Sequence, residues 1–202
     1  MNDDYKKSLL KQYDILFKEI DLLIESNDKV VVAIDGNSGA GKSTLSKILG
    51  RRYDCNVFHM DDFFLGPELK TKERLKEVGG NVDYVRFKQE IISGLRSGQK
   101  FRYQIYNCQI QKLDKCIEVF PRKLNIIEGV YSMHPSLIDN YDLKIFLEID
   151  HKEQSDRILE RNGESMHKKF INLWIPLENA YFEEFEIREK SDILIDVSDK
   201  EK

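Results

Sequence analysis

Between Leu9 and Ile24 the apolar residues Leu9, Leu10, Tyr13, Leu16, Phe17, Ile20, Leu23 and Ile24 recur three and four apart. That spacing predicts an amphipathic helix from about Tyr5 to Glu25. The pattern then changes to "KVVVAID", a continuous β-branched run of the kind that forms strands buried on both faces of a parallel sheet. A Gly-rich stretch follows, and "KSTLSKILGRR" predicts a helix. Further strands are expected at "NVFHM", "LNIIE", "LKIFLEI" and "DILIDV", with helices at Tyr84–Arg96, His151–Arg161 and Pro176–Glu189. Strands alternating with helices imply an α/β sheet with right-handed crossovers.

The middle of the chain breaks this rhythm. "FRYQIY" and "KCIEVF" alternate with period two and are separated by "NCQIQKLD", which predicts an inserted β-hairpin whose loop projects outward. Strict alternation puts Arg102, Gln104 and Tyr106 on one face and Phe101, Tyr103 and Ile105 on the other. The polar face is either solvated or lines a substrate cleft, which makes Arg102 and Tyr106 candidate substrate-binding residues.

With 202 residues, 41% hydrophobic and 34% charged, the chain suits one globular domain, read as an N-terminal helix (1–28), a core (29–197) and a tail (198–202). The net charge of −4 argues against a nucleic-acid partner, which needs a basic face. Three cysteines (Cys55, Cys108, Cys116) without metal spacing read as reduced thiols of a cytoplasmic protein. The polar start "MNDDYKKSLL" predicts no signal peptide, and no apolar run approaches the roughly 20 residues of a membrane span. The four scattered histidines predict no metal cluster. The N-terminal helix packs on its own domain or on a second copy in a homo-oligomer, and composition leaves both open.

Within "DGNSGAGKST", Gly36, Gly41, Lys42 and Ser43 satisfy G-x-x-x-x-G-K-[ST]. A strand precedes this loop and a helix follows it, the context in which such a loop cradles a nucleoside triphosphate. Glycines let backbone N–H groups converge on phosphate oxygens, so Gly36, Asn37, Ser38, Gly39, Ala40, Gly41, Lys42, Ser43 and Thr44 are the expected ATP-binding residues. Lys42 would reach the β/γ-phosphates and Ser43 would ligate Mg²⁺. The fold class is therefore a P-loop NTPase: three layers, a mainly parallel sheet, an inserted hairpin and a helical lid.

Ligands of open parallel sheets sit beyond the carboxyl ends of the strands. Asp35, Asp61 and Glu128 end predicted strands at that edge, and Asp61 and Glu128 are the candidates for metal binding and for activating an acceptor hydroxyl. Asp150, with Glu153 three residues on, reads as a helix cap. On the next helix Arg157 and Arg161 share a face and are candidates to neutralise a transferring phosphate, although Glu153 is placed to occupy Arg157. Neither N-K-x-D nor D-x-x-G, which a switch GTPase needs, occurs in the chain. The expected activity is phosphate transfer from ATP to a small-molecule hydroxyl; a regulatory or assembly ATPase is the alternative, and GTP as donor stays open.

"DGNSGAGKST", "HMDDFF", "GNVDYVRF", "YQIYN", "IIEGVY" and "DRILERN" occur in the order of the uridine kinase-like branch of P-loop kinases, itself similar to phosphoribulokinase and pantothenate kinase. The resemblance runs from Val30 to Val197. It implies that Asp61 is the base or metal-side acid near the acceptor, that Asp83 holds sugar hydroxyls, and that Tyr106 meets the nucleoside. It further implies Glu128 as a metal-side glutamate and Arg157 and Arg161 as lid arginines. A helix N-cap role for Asp83 is compatible with this. Asn107 stands where the family pattern has Asp, residues 107–116 contain no histidine, and Asn162 replaces an Asp. These departures lie on the acceptor side, so the resemblance supports the kinase core more strongly than uridine. Trp174, Tyr181 and Phe182 read as core or lid packing.

Overall fold

The computed structural model describes residues 3–199 and has three layers. Residues 1–2 of the expected N-terminal segment and 200–202 of the expected tail lie outside the described residues. Helix α1 (Asp3–Ser26), strand β1 (Val30–Gly36), helix α2 (Lys42–Arg52) and strand β2 (Cys55–His59) come first. A helical rod follows, made of α3 (Tyr84–Phe87), a π turn (Lys88–Ile92) and α4 (Ser93–Ser97). Strands β3 (Phe101–Asn107) and β4 (Lys112–Val119) form the hairpin, and β5 (Leu124–Glu128) and β6 (Leu143–Glu148) return to the sheet. The chain ends in α5 (His151–Lys169), a second π turn (Phe170–Trp174), α6 (Ile175–Glu184) and β7 (Ile193–Asp196).

The five-stranded sheet has the order β2-β5-β1-β6-β7, and every neighbouring pair is parallel. Parallel neighbours require crossovers, which cover both faces. Along β1, Val30, Val32 and Ile34 pack with Leu16, Ile20, Leu45 and Leu49 of α1 and α2. Val31 and Ala33 pack on the opposite side with Phe58, Phe87, Ile91 and Tyr181. Double-sided burial is why this strand reads as an unbroken apolar run. Leu16 and Ile20 are fully buried, and the Asp196 amide donates to Gln12 Oε1 at 3.1 Å, so α1 packs on its own domain.

The hairpin is a separate two-stranded sheet, with the Tyr103 ring 5.8 Å from both Phe58 and Phe63. A bulge between Gln104 and Tyr106 breaks the alternation, so Tyr106 is buried like Tyr103 instead of sharing the open face with Arg102. The connecting loop is also shorter than expected, because Asn107 Oδ1 accepts from the Gln109 amide at 2.9 Å and tightens the turn.

Helix α5 breaks at Gly163 (φ 73°, ψ 170°) and doubles back, bringing Ser155 Oγ within 2.7 Å of His167 Nε2. Residues 151–162 and 164–184 thus form the two legs of a helical hairpin. The second leg stops before the expected Glu189: Glu186 turns at φ 51° and swings Ile187 fully into the core. Tyr181 and Phe182 are core residues, and Trp174 packs edge-on against Phe170 at 4.6 Å. All three cysteines are free, and among the described residues no helix is long and apolar enough to cross a membrane.

Candidate active site

β1 delivers the chain to the phosphate loop at Gly36, whose φ of 129° and whose approach to Leu147 leave no room for a side chain. α2 starts at Lys42, directly after Gly41. Lys42 is buried; its Nζ donates to the carbonyls of Gly36 at 2.7 Å and Asn37 at 3.0 Å. The loop apex is fastened to both legs of the helical hairpin. Ser38 donates its amide (3.0 Å) and its hydroxyl (2.5 Å) to Glu178 of α6, and its carbonyl accepts from Gln154 Nε2 of α5 at 2.9 Å. Burial pushes the Glu178 carboxyl up, against the charge of Lys42 and the two bonds from Ser38.

The strand-end acids separate into two environments. Asp35 is fully buried and accepts from the Gly36 amide (2.8 Å), the Met133 amide (3.0 Å) and the Tyr181 hydroxyl (2.8 Å), so it braces the loop instead of facing the cleft. Glu128, at the end of β5, accepts from Ser43 Oγ at 3.0 Å and meets His59 Nδ1 at 2.6 Å. Burial raises the Glu128 carboxyl, but His59, Lys42 and Ser43 together hold it below the usual range. His59 is raised in turn, chiefly by its bond to Glu128.

Asp61 lies beyond β2 in a short 3-10 turn and is exposed. Desolvation and then the charge of Glu128 raise its carboxyl; Lys42, His59 and Arg161 act the other way. The charges of Glu128, Lys42 and Arg161 thus all act on Asp61. Asp62 points away, 3.5 Å from the Tyr103 hydroxyl.

The remaining expected residues have the following surroundings. Asp83 caps α3, accepting from the Arg86 amide at 3.0 Å. Arg86 then ties the hairpin in through the carbonyls of Gln104 (2.6 Å) and Asp62 (2.7 Å) and lies over the Phe63 ring. The buried Tyr106 hydroxyl has no hydrogen-bond partner among the described residues. Arg157 contacts the loop at the Gly39 carbonyl (3.3 Å) while held by Glu153 (2.7 Å) and the Val197 carbonyl (2.9 Å). Arg161 is exposed near the hairpin's reversal, bonded to Asn162 Oδ1 at 2.8 Å. Arg102 is not brought to this group: it pairs with Glu118 at 2.9 Å on the exposed side of the hairpin. Asp150 caps α5 as expected, accepting from the Lys152 and Glu153 amides. His59, Gln154, Glu178 and Tyr181 were not anticipated in the site. Only Glu178 carried a signal: it is an acid within the helical apolar stripe Ile175, Tyr181, Phe182.

Residues 31–165, well over half of the chain, match the Phosphoribulokinase / Uridine kinase family. A phosphoribulokinase from Synechocystis is 27% identical over 142 residues, covering 66% of this chain but only 42% of that protein, so the chain spans less than half of that relative's length. A uridine kinase from Clostridium tetani is 26% identical over 176 residues, covering 78% of this chain and 83% of the relative. The fold is shared with a structure described as a possible uridine kinase from Bacillus stearothermophilus (TM-score 0.69, 21% identity, 93% of this chain and 99% of that one). It is shared also with phosphoribulokinase from Rhodobacter spheroides (TM-score 0.56, 12% identity, 84% and 70%). Since the matched segment begins in β1 and runs through the phosphate loop, the acids and both arginines, the chain belongs to the phosphoribulokinase / uridine kinase family.

Proposed function

We propose that the chain is an ATP-dependent kinase that transfers the γ-phosphate to a hydroxyl of a small molecule, with a nucleoside such as uridine or cytidine as the first acceptor to test. The observation that carries this reading is Asp61: a raised, exposed carboxyl beside the Ser43–Glu128 pair and within reach of the charges of Lys42 and Arg161.

Lys42 exchanges the carbonyls of Gly36 and Asn37 for phosphate oxygens, and the loop amides hold the rest of the triphosphate. Ser43 and Glu128 offer hard oxygen donors 3.0 Å apart, with Asp61 beside them, a donor set that fits Mg²⁺. Mg²⁺ bound there supplies neutralisation of phosphate charge. Asp61 orients the acceptor hydroxyl and takes its proton, which a raised pKa favours. Asp83 and the unpartnered Tyr106 hydroxyl hold the acceptor, and Arg161, with Arg157 at the loop, offsets charge on the transferring group. Most of the rate then comes from positioning and electrostatics.

The test is ADP release from Mg·ATP, and in parallel from Mg·GTP, with nucleosides, pantothenate, sugars and phosphosugars, each product identified by mass spectrometry. A phosphorylated pyrimidine nucleoside supports the full reading. A different phosphorylated acceptor keeps the kinase and discards the nucleoside. Hydrolysis indifferent to every acceptor but altered by a protein partner would replace it with the regulatory ATPase.

A further inference from the structure

Glu178 lies beyond the segment that matches the family, is 4% exposed, and has no part in the phosphate-transfer steps above. A buried carboxylate is costly unless its oxygens are satisfied. Here each oxygen has a donor from the same residue: Oε2 accepts the Ser38 amide at 3.0 Å and Oε1 accepts the Ser38 hydroxyl at 2.5 Å. Ser38 has two donors and one acceptor to place, and the third group, its carbonyl, is taken by Gln154 at 2.9 Å. The amide, hydroxyl and carbonyl of Ser38 are thus all committed to the helical hairpin. Gln154 sits on the first leg and Glu178 on the second, and both are buried.

We propose that Glu178 is a positioning residue that, with Gln154, clamps Ser38 to both legs of the helical hairpin and thereby holds the neighbouring loop amides in their phosphate-binding arrangement. The Ser38 amide, bound to Glu178, is withdrawn from phosphate contact, and its fixed peptide sets the direction in which the chain enters Gly39–Lys42. The clamp also fixes the register of the legs on the loop, and with it the placement of Arg157 at the Gly39 carbonyl. A carboxylate suits the position because both Ser38 groups facing it are donors. An amide can keep both bonds only if the Ser38 hydroxyl turns round to accept.

The proposal rests on the nucleotide reading of the loop but not on any acceptor, so the probe is Mg·ADP titrated calorimetrically into the full chain. Glu178→Ala should weaken ADP at least about tenfold, the scale of losing hydrogen bonds to a charged group. Glu178→Gln, which retains the shape and removes the charge facing Lys42, should stay within about threefold of wild type. Ser38→Ala loses the hydroxyl bond and keeps the amide bond, and should fall between them. In turnover, the Glu178→Ala loss should appear in KM for ATP more than in kcat. Should Glu178→Ala fail to fold, Ser38→Ala and Glu178→Gln still decide: affinity lost in the first and kept in the second supports the clamp. Folded Glu178→Ala with wild-type ADP affinity, or Glu178→Gln as weak as Glu178→Ala, would overturn the clamp alone. Wild-type protein that leaves ADP unbound would overturn the nucleotide reading and the clamp with it.

Discussion

Gly36→Ala should unfold the chain well below the wild-type temperature, and the size of the effect follows from where the new methyl would lie. A Cβ at Gly36 would stand 2.0 Å from the Leu147 carbonyl oxygen and 2.7 Å from the Leu147 nitrogen. Both atoms belong to the β1–β6 ladder, in which Gly36 and Leu147 are register partners. No rotamer change relieves a clash with backbone, so the strands must part, and the Asn37 amide loses its 3.1 Å bond to the same carbonyl. Overpacking of this kind costs about 1–3 kcal/mol. The φ of 129° adds backbone strain of about 1–3 kcal/mol for any residue with a side chain. A middle value of about 4 kcal/mol corresponds to a Tm lower by about 8–16 °C in a chain of this length. Gly50→Ala is the control: Gly50 is exposed within α2, a Cβ there meets nothing within 4 Å, and the better helix former should raise Tm by about 1–4 °C. Thermal unfolding followed by circular dichroism, backed by urea titration, reads both. A Gly36→Ala protein melting with the wild type would refute the close approach of β1 to β6 on which the loop geometry depends.

Four further variants test other parts of the account. Asp61→Asn should lower kcat by about 10²–10⁴, far more than it weakens ADP binding; unchanged turnover would remove Asp61 from the mechanism. Arg161→Ala should lower kcat by about 10²-fold or more with little change in Tm, because Arg161 is exposed, bonds the adjacent Asn162 and lies 6.0 Å from the Phe170 ring centre. Arg157→Ala should lower Tm as well, since it ties together the Gly39 and Val197 carbonyls; equal Tm losses in the two variants would contradict the split. His134 is pushed down to about 4, by burial first and then by the charges of Arg74 and Lys88. A group lowered in the folded state favours folding fully above its unfolded value of 6.5, and that contribution is lost as pH falls towards about 4. Urea titrations at pH 7.5 and pH 4.5 should therefore show a larger loss for wild type than for His134→Gln, and parallel losses would exclude His134 as a source.

The parts of the fold that were legible in the sequence are those whose signal is local. β1 and β5 read correctly because burial on both faces leaves no polar position to confuse the period, and the glycine and lysine spacing of the loop follows from the needs of phosphate binding. The hairpin was legible as a hairpin but not in its facing. One bulge, invisible in a pattern of period two, moved Tyr106 from the open side to the buried side and left Arg102 behind in a surface ion pair. Asp35, Asp61 and Glu128 were indistinguishable as strand-end acids. What separates them is the donors that meet each one, from β2, the segment after β5 and α6, and such distant contacts leave no trace in spacing. The end of the helix was legible, since the expected stop at Arg161 lies two residues before the break at Gly163, but the reversal was not: it shows in the distant Ser155–His167 contact.

Asp35 and Ser38 flank Gly36, and both are held by one face of α6. Glu178 and Tyr181 lie three residues apart, nearly one turn, so their side chains emerge side by side. Tyr181 donates to the acid before the glycine at 2.8 Å, and Glu178 accepts from the serine after it. The signs are complementary: the loop presents an acceptor and then donors, and α6, running the opposite way, meets the acceptor with Tyr181 and the donors with Glu178. Asp35 also accepts the Met133 amide, from a segment in which Tyr131 is held at φ 74°, a conformation that persists in a bulky residue only when its surroundings fix it. Tyr131 packs against Tyr181 at 4.8 Å. The start of the phosphate loop, the turn after β5 and the second leg of the helical hairpin therefore share one buried junction. Glu128 ends β5 just before that turn, so displacement of α6 would reach the Ser43–Glu128 pair through Tyr181 and Asp35 as well as the loop apex through Glu178. An arrangement in which a single helix contacts both sides of the glycine fixes the curvature of the loop from outside.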